Sequence, residues 1–247
     1  MADRLAEEIR NGTRPPGSTL PHIPELVAAG EGSKATVHKA YRELESLGYV
    51  AARRGRGTVV LSPSPRVTLN RHERDAATPD SWARATAEQG LDGRTEAEPL
   101  TVLDAPADIA ELLDVPTGTP AIRCRRRAMI GATVAALHED WYLVSTAQAA
   151  GLNQPEQTEG DVLGLLTAGG IRPSAVEESV SVAPATSDQA AQLGIGPQSP
   201  VLTVDRITRD GTGRAIEVAR LVGGTHRFRL VYTPLPRQVG EAPEQPR

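Results

Sequence analysis

Ser33-Lys34-Ala35-Thr36-Val37-His38-Lys39-Ala40-Tyr41-Arg42-Glu43-Leu44-Glu45-Ser46-Leu47-Gly48, followed by Ala51-Ala52-Arg53-Arg54-Gly55-Arg56-Gly57-Thr58-Val59-Val60, is the stretch that decides the fold. Ser33 is placed to cap a helix, its hydroxyl accepting from the free amides of the first turn. From there Val37, Ala40, Tyr41, Leu44 and Leu47 recur at helical spacing and make one apolar stripe. Gly48 stops the helix, because glycine takes the left-handed conformation without strain. Lys34, Ala35, His38, Lys39 and Arg42 turn away from the stripe. Val50–Arg53 and Thr58–Leu61 read as short strands, and Gly55 and Gly57 allow a tight turn carrying Arg53, Arg54 and Arg56. A helix, a glycine turn and an arginine-tipped hairpin in this order describe a winged helix-turn-helix, which lays one helix in a DNA groove beside a basic hairpin. An amphipathic surface helix followed by an ordinary hairpin is the plainer alternative.

The residues before this stretch fit the first reading. Asp3–Arg10 reads as a helix with Leu5 and Ile9 inward, residues 12–21 as a turn-rich connector, and Glu25–Ala29 as a short helix. With these pieces in place, the first 60 or so residues resemble the DNA-binding domain of the GntR family of bacterial transcription regulators. The resemblance rests on Pro16-Gly17 followed by Leu20-Pro21, on Ser33-Lys34-Ala35-Thr36-Val37, on Leu44-Glu45-Ser46-Leu47-Gly48 and on Gly55-Arg56-Gly57-Thr58. It implies DNA contacts from Ser33, Lys34, Thr36, His38, Lys39, Arg53, Arg54, Arg56 and Gly57. The chain departs from the family at Pro24, where an arginine is usual, and at the turn Gly30-Glu31-Gly32. Lys34 also cannot offer guanine the bidentate fork of an arginine, so the operator sequence does not transfer from relatives.

Composition agrees. Residues 1–66 hold ten Lys and Arg against seven Asp and Glu, and the remainder holds 17 against 24. A basic module joined to an acidic one suggests nucleic acid at one end and another task at the other. The single cysteine, Cys124, excludes an internal disulfide, and no Cys/His cluster has zinc spacing. Met1-Ala2-Asp3-Arg4 leads into no apolar run, so the sequence predicts a cytoplasmic protein without membrane, metal or cofactor. We expect a winged helix-turn-helix over 1–62, a proline-rich linker over 63–80, an effector-binding and dimerisation domain over 81–236, and a disordered tail over 237–247.

The second domain contains an internal repeat. Ala105-Pro106-Ala107 matches Ala183-Pro184-Ala185, and from Leu113 and Leu193 onward the offset is constant at 80 residues through Pro120/Pro200, Arg126/Arg206 and Gly131/Gly211. Each copy reads as a helix (Asp108–Leu113, Ser187–Leu193), a strand, a glycine turn and a second strand. Two such units predict a pseudo-symmetric antiparallel sheet with helices packed on it and a ligand cleft between the copies. Arg123, Arg125 and Arg127 share one strand face, and Arg126 faces the other way with Ile122 and Cys124. Arg126 and Arg206 recur in both copies and are expected to be structural, paired with local carboxylates. Arg125 and Arg127 have no counterpart, so they are either an anion site or solvated arginines paired with neighbouring Glu and Asp.

Residues 81–236 resemble the UTRA effector domain of HutC-like GntR regulators. The carriers are Asp80-Ser81-Trp82, Pro106-Ala107 with Leu113, Arg125-x-Arg127-x-x-x-Gly131, Glu139-Asp140-Trp141-Tyr142, Ile207 through Gly211, and Glu217 before Arg227-Phe228. The resemblance implies an α+β chain: a winged helix-turn-helix plus a mixed α/β domain with an antiparallel sheet, similar to chorismate lyase. It further implies a homodimer on a double-stranded DNA operator, governed by a small, usually anionic effector. The family's effector contacts map onto Ser81, Arg125, Arg127, Glu139 and Glu217. Asp161 stands where sugar-phosphate-binding relatives have a serine, and Leu221-Val222-Gly223-Gly224 follows the second glutamate where a tyrosine is common. An added carboxylate disfavours phosphate, which points to an effector with one anionic group and several donors. Two rivals remain: a constitutive DNA-binding protein whose second domain only dimerises, and a lyase-like enzyme, against which no nucleophile–base pair, metal set or phosphate loop appears.

Overall fold

Three short helices and a hairpin share the first core because each turns one apolar stripe inward. The computed structural model describes residues 1–61, 66–71, 81–151 and 162–232. Helices α1 (Ala2–Arg10), α2 (Ile23–Ala28) and α3 (Lys34–Ser46) precede strands β1 (Val50–Arg53) and β2 (Gly57–Val60). Leu5, Ile9, Leu20, Leu26, Val37, Tyr41 and Leu44 meet Val50 and Val60 in one buried cluster. Ser33 caps α3, its Oγ accepting from the Thr36 amide at 3.2 Å. At α2 the Glu25 carboxylate accepts from the His22 amide at 2.9 Å, half of a capping box. Gly48 has φ +74, and a Cβ there would meet the His226 ring at 2.2 Å, so both conformation and close approach demand glycine.

The second domain is built on one seven-stranded antiparallel sheet, with a separate two-stranded parallel pair beside it. After β3 (Val67–Asn70) and α4 (Ser81–Ala87) come β4 (Gly93–Ala97), β5 (Thr101–Asp104), α5 (Ala107–Leu112), β6 (Pro120–Ile130) and β7 (Thr133–Leu143). Then follow α6 (Val144–Ala149), α7 (Val162–Ala168), β8 (Pro173–Pro184), α8 (Ser187–Leu193), β9 (Pro200–Asp210), β10 (Ala215–Gly224) and β11 (Phe228–Val231). The strand order β4-β6-β7-β10-β9-β8, with β5 beside β4 on β6, makes two mirrored halves that meet at β7 and β10. The repeat is therefore real in space. It also reaches further upstream than the sequence suggests, since α4 and α7 sit at corresponding places ahead of the two halves.

One expectation needs correction. Val67–Asn70, read as part of a polar linker, form β3 and pair in parallel with β11. The physical reason is their alternation: Val67 and Leu69 are buried against Trp82 and Phe228, while Thr68 and Asn70 point away. Residues 63–65 and 72–80 of that linker, and the tail over 237–247, lie outside the described residues.

The two sheet faces are covered differently. Odd-numbered β6 positions face α5 and α8, which pack on Trp141, Val218 and Ile207 and on Leu137, Val201 and Val222. The opposite face is covered at one end by β3, β11 and α4 and at the other by α6 and α7. Between those covers lie polar side chains. For the first core, Leu44→Ala should destabilise the N-terminal module by about 2–5 kcal/mol, because the side chain is fully buried and its neighbours cannot all collapse. Urea unfolding followed through α3 helicity measures this.

Candidate functional site: a basic helix and wing, and a polar sheet face

The first candidate surface is basic and exposed. On α3 the side chains of Lys34, Thr36, His38, Lys39 and Arg42 all face solvent, opposite the buried stripe. Thr36 Oγ1 lies 2.9 Å from Ser33 Oγ, so these two serve the helix start as well as the exposed face. On the β1–β2 turn Arg54 and Arg56 are exposed, with Gly55 and Gly57 at φ +76 and +78. Arg53 turns back, its Nη2 donating to the Gly194 carbonyl at 3.3 Å. The Leu20 amide donates to the Thr58 carbonyl at 2.8 Å, anchoring the hairpin on the helical core. A helix and hairpin presenting cations side by side can neutralise phosphates on both sides of a groove.

The second candidate set does not converge. Arg125, Arg127 and Glu139 lie on the sheet face under α5 and α8, whereas Glu217 is buried on the other face. Ser81 begins α4, and Asp161 lies outside the described residues. Of the two readings of the arginine strand, pairing with neighbouring carboxylates holds. Arg125 Nε lies 2.9 Å from Glu139, and its Nη atoms are 3.4 Å from Asp188 and 3.8 Å from Glu98. Arg127 Nη2 lies 3.2 Å from Glu96.

The repeat explains this arrangement. Arg125 and Asp205 are equivalent positions, and across the hairpins their partners are Glu139 and Arg220. Arg220 Nε donates to Asp205 at 2.6 Å, and Glu139 and Arg220 are themselves opposite residues on β7 and β10. The charges therefore run plus, minus, plus, minus across four strands, inverted between the halves. Asp188 on α8 closes on Arg125 and Asp108 on α5 closes on Arg220 at 2.6 Å; these two aspartates are also equivalent in the repeat. Burial opposes ionisation of Asp108, but the bond and charge of Arg220 outweigh it and hold its carboxyl below the usual range.

The opposite face holds the residues that sequence reasoning treats as structural. Arg126 pairs with Asp140, both almost fully buried. Glu217 accepts from the Tyr142 hydroxyl at 2.6 Å and from the Thr208 hydroxyl at 2.7 Å. Burial, reinforced by Glu217, pushes the Tyr142 hydroxyl well above its ordinary pKa. Arg206 is 2% exposed, approaches Glu178 only to 3.8 Å, and has no hydrogen-bond partner on any of its three side-chain nitrogens. Arg71, from the strand end expected to be linker, binds Glu178. Strand parity could have found this face: Arg126, His138, Asp140 and Tyr142 alternate on it, as do Arg206 and Thr208. Burial pushes the Cys124 thiol up to about 11, so it is a packing residue rather than a nucleophile. Among the described residues no group of His, Cys, Asp and Glu could hold a metal ion.

Comparison with known proteins follows the same division. Residues 1–60 match the model for bacterial regulatory proteins of the gntR family, and residues 88–229 match the UTRA domain. The HTH-type transcriptional regulator SCO4628 of Streptomyces coelicolor is 29% identical over 94% of this chain and 90% of its own length. The HTH-type transcriptional repressor PhnF of Mycolicibacterium smegmatis is 26% identical over 88% of this chain and 83% of its own. The crystal structure of PhnF from that organism superposes with a TM-score of 0.57 at 22% identity, covering 96% of this chain and 99% of that one.

The polar face carries a pH signature. Burial, with Arg126 and Arg71 nearby, pulls the His138 pKa down to about 3. The unfolded chain therefore binds a proton near pH 6.5 that the folded chain refuses, so stability should fall as pH drops from about 6.5 towards 3. Replacing His138 with Gln should flatten that fall; chemical unfolding midpoints across this range are the measurement.

Proposed function

The chain belongs to the GntR family, its second module being the family's UTRA domain, and as a transcriptional regulator of that kind we propose that it is a repressor released from its operator by a small anionic metabolite. The observation that carries the DNA half is the exposed cationic row Lys34, His38, Lys39 and Arg42 on α3 beside Arg54 and Arg56 on the wing. A homodimer would place two such helices on a pseudo-palindromic operator, with the half-site spacing set by the dimer. PhnF and the Bacillus subtilis protein YtrA are both named transcriptional repressors, which supports the direction of control. No helix among the described residues is long and apolar enough to cross a membrane, and a cytoplasmic location suits a protein that meets chromosomal DNA.

The coupling route is short. Strand β10 carries Glu217 in the polar face and runs directly into the Thr225–Arg227 turn, where His226 lies against Gly48 at the end of α3. A cavity of about 500 Å³ opens at the same place, lined by Arg10, Leu47, Tyr49, Leu61 and Arg66 as well as His226. A ligand that prefers one setting of β10 therefore biases the position of the recognition helix, and operator and effector weaken each other by one coupling factor. Burial, with Arg227 and Arg66 nearby, pulls the His226 pKa down to about 4, so the ring stays neutral against Gly48 near pH 7.

The test uses DNA from immediately upstream of the coding sequence and titrates it with the full chain at several salt concentrations. Combined replacement of Arg53, Arg54 and Arg56 by Ala should weaken binding and reduce the log–log salt slope by roughly 0.9 for each phosphate no longer neutralised. Unchanged affinity and slope in the triple variant would remove the wing from the account.

A further inference from the structure

Leu47 ends the apolar stripe of α3 without being covered. Its predecessors Val37, Ala40, Tyr41 and Leu44 are buried, whereas Leu47 is 51% exposed. It lines the cavity of about 500 Å³ where the first module meets the turn after β10. Leu61 and the rings of Tyr49 and His226 add apolar wall, and Arg10 and Arg66 supply positive charge. Among the described residues, none that lines the cavity carries a carboxylate.

The two arginines can turn to a ligand. Arg10 lies 2.7 Å from Glu7, but both side chains are more than half exposed, so the pair contributes little and exchanges readily. Arg66 is exposed and has no ion-pair partner among the described residues. His226 stays neutral near pH 7, and its Nε2 has no hydrogen-bond partner among the described residues. Its ring sits where a Cβ on residue 48 would be, so this joint is held by fit. A ligand that backs the ring therefore competes with no hydrogen bond there.

We propose that this cavity is a binding site for an organic carboxylate with a flat apolar body, and that the bound acid fixes α3 and the wing against the second domain. The volume lies in the range of about 300–1,000 Å³ usual for small-molecule sites. A flat body can lie against Tyr49 and His226 while it takes Leu47 out of water. The carboxylate matches the planar fork of Arg66 or Arg10. The site stands on the cavity itself and is separate from the polar sheet face; its effect on operator binding rests on the regulatory reading above.

The direction of that effect follows from a second contact between the modules. A Cβ on Gly196, in the turn after α8, would meet the Glu45 carboxyl carbon at 2.1 Å, so the end of α3 is packed on that turn. Glu45 Oε1 also accepts from the Ala52 amide at 3.0 Å, tying α3 to the wing. Arg53 at the base of the wing donates to the Gly194 carbonyl of the same turn. While the modules stay in this arrangement, one wing arginine serves the protein and is withheld from phosphate. A ligand that favours the arrangement therefore lowers operator affinity.

Thermal unfolding of the full chain with sodium 2-naphthoate, neutral 2-naphthamide or inorganic phosphate at matched ionic strength tests the site. Naphthoate should raise Tm by roughly 2–4 °C, and the amide and phosphate should not. Leu47→Trp, which fills the cavity from its exposed side, and Arg66→Ala, which breaks no ion pair among the described residues, should each abolish the shift. No shift with naphthoate, an equal shift with the amide, or a shift that survives Leu47→Trp would overturn the site. Titration of the upstream DNA on the same samples tests the locking: naphthoate should weaken operator binding at least about fivefold. A Tm shift with unchanged or tighter operator binding would overturn the locking. Failure of the unliganded chain to bind that DNA sinks the regulatory reading instead, and leaves the cavity to be judged by the Tm shift.

Discussion

The antiparallel seam between β7 and β10 is the constraint on which the second domain depends. It joins the two halves of the repeat, and both of its faces are covered, so every side chain along it must suit one of two unlike environments. On the helix side it carries Trp141, Val218, Leu137 and Val222 together with the Glu139–Arg220 step of the charge ladder. On the other side it carries Asp140, Tyr142 and Glu217. A one-residue slip would exchange the two sets, setting Asp140, Tyr142 and Glu217 under α5 and α8 and the apolar residues among the buried polar groups of the other face.

The ladder shows how a duplicated unit can be held in register. A perfectly symmetric pair of copies would place like charges at equivalent positions and oppose them across the seam. Inverting the order, with Arg125 and Glu139 in one half and Asp205 and Arg220 in the other, makes every neighbouring pair attractive. These groups are about one-fifth exposed, so each pair contributes little on its own. Their value lies in specificity: Asp108 and Asp188, in the first turns of α5 and α8, find a cation only when each helix lies on its own place.

The functional division follows from this. The helix-side face pairs Arg125, Arg127 and Arg220 with carboxylates, while the other face keeps the buried Arg206 guanidinium without a hydrogen-bond partner. Strand β10, which carries Glu217 on that face, ends at the turn packed against Gly48 at the end of α3. A glycine at that helix end is what permits the close approach of His226.

The sequence alone determined the N-terminal module, from the Ser33 cap and the apolar stripe of α3 to the glycines of the wing, because those signals are local and short-range geometry reads them out. It also determined the duplication and the alternation of the strands, since an 80-residue offset and a period of two survive in a linear string. Tertiary structure decided which arginines are spare. In the linear string Arg125 looks available because it has no counterpart in the second copy, and its partners Glu139, Asp188 and Glu98 come beside it only on folding. Arg206 looks paired there because it repeats Arg126, and both are expected to meet local carboxylates. Tertiary structure also made a strand of Val67–Asn70, whose partner β11 comes some 160 residues later. Charge matching and long-range strand pairing depend on distances that only the folded chain sets.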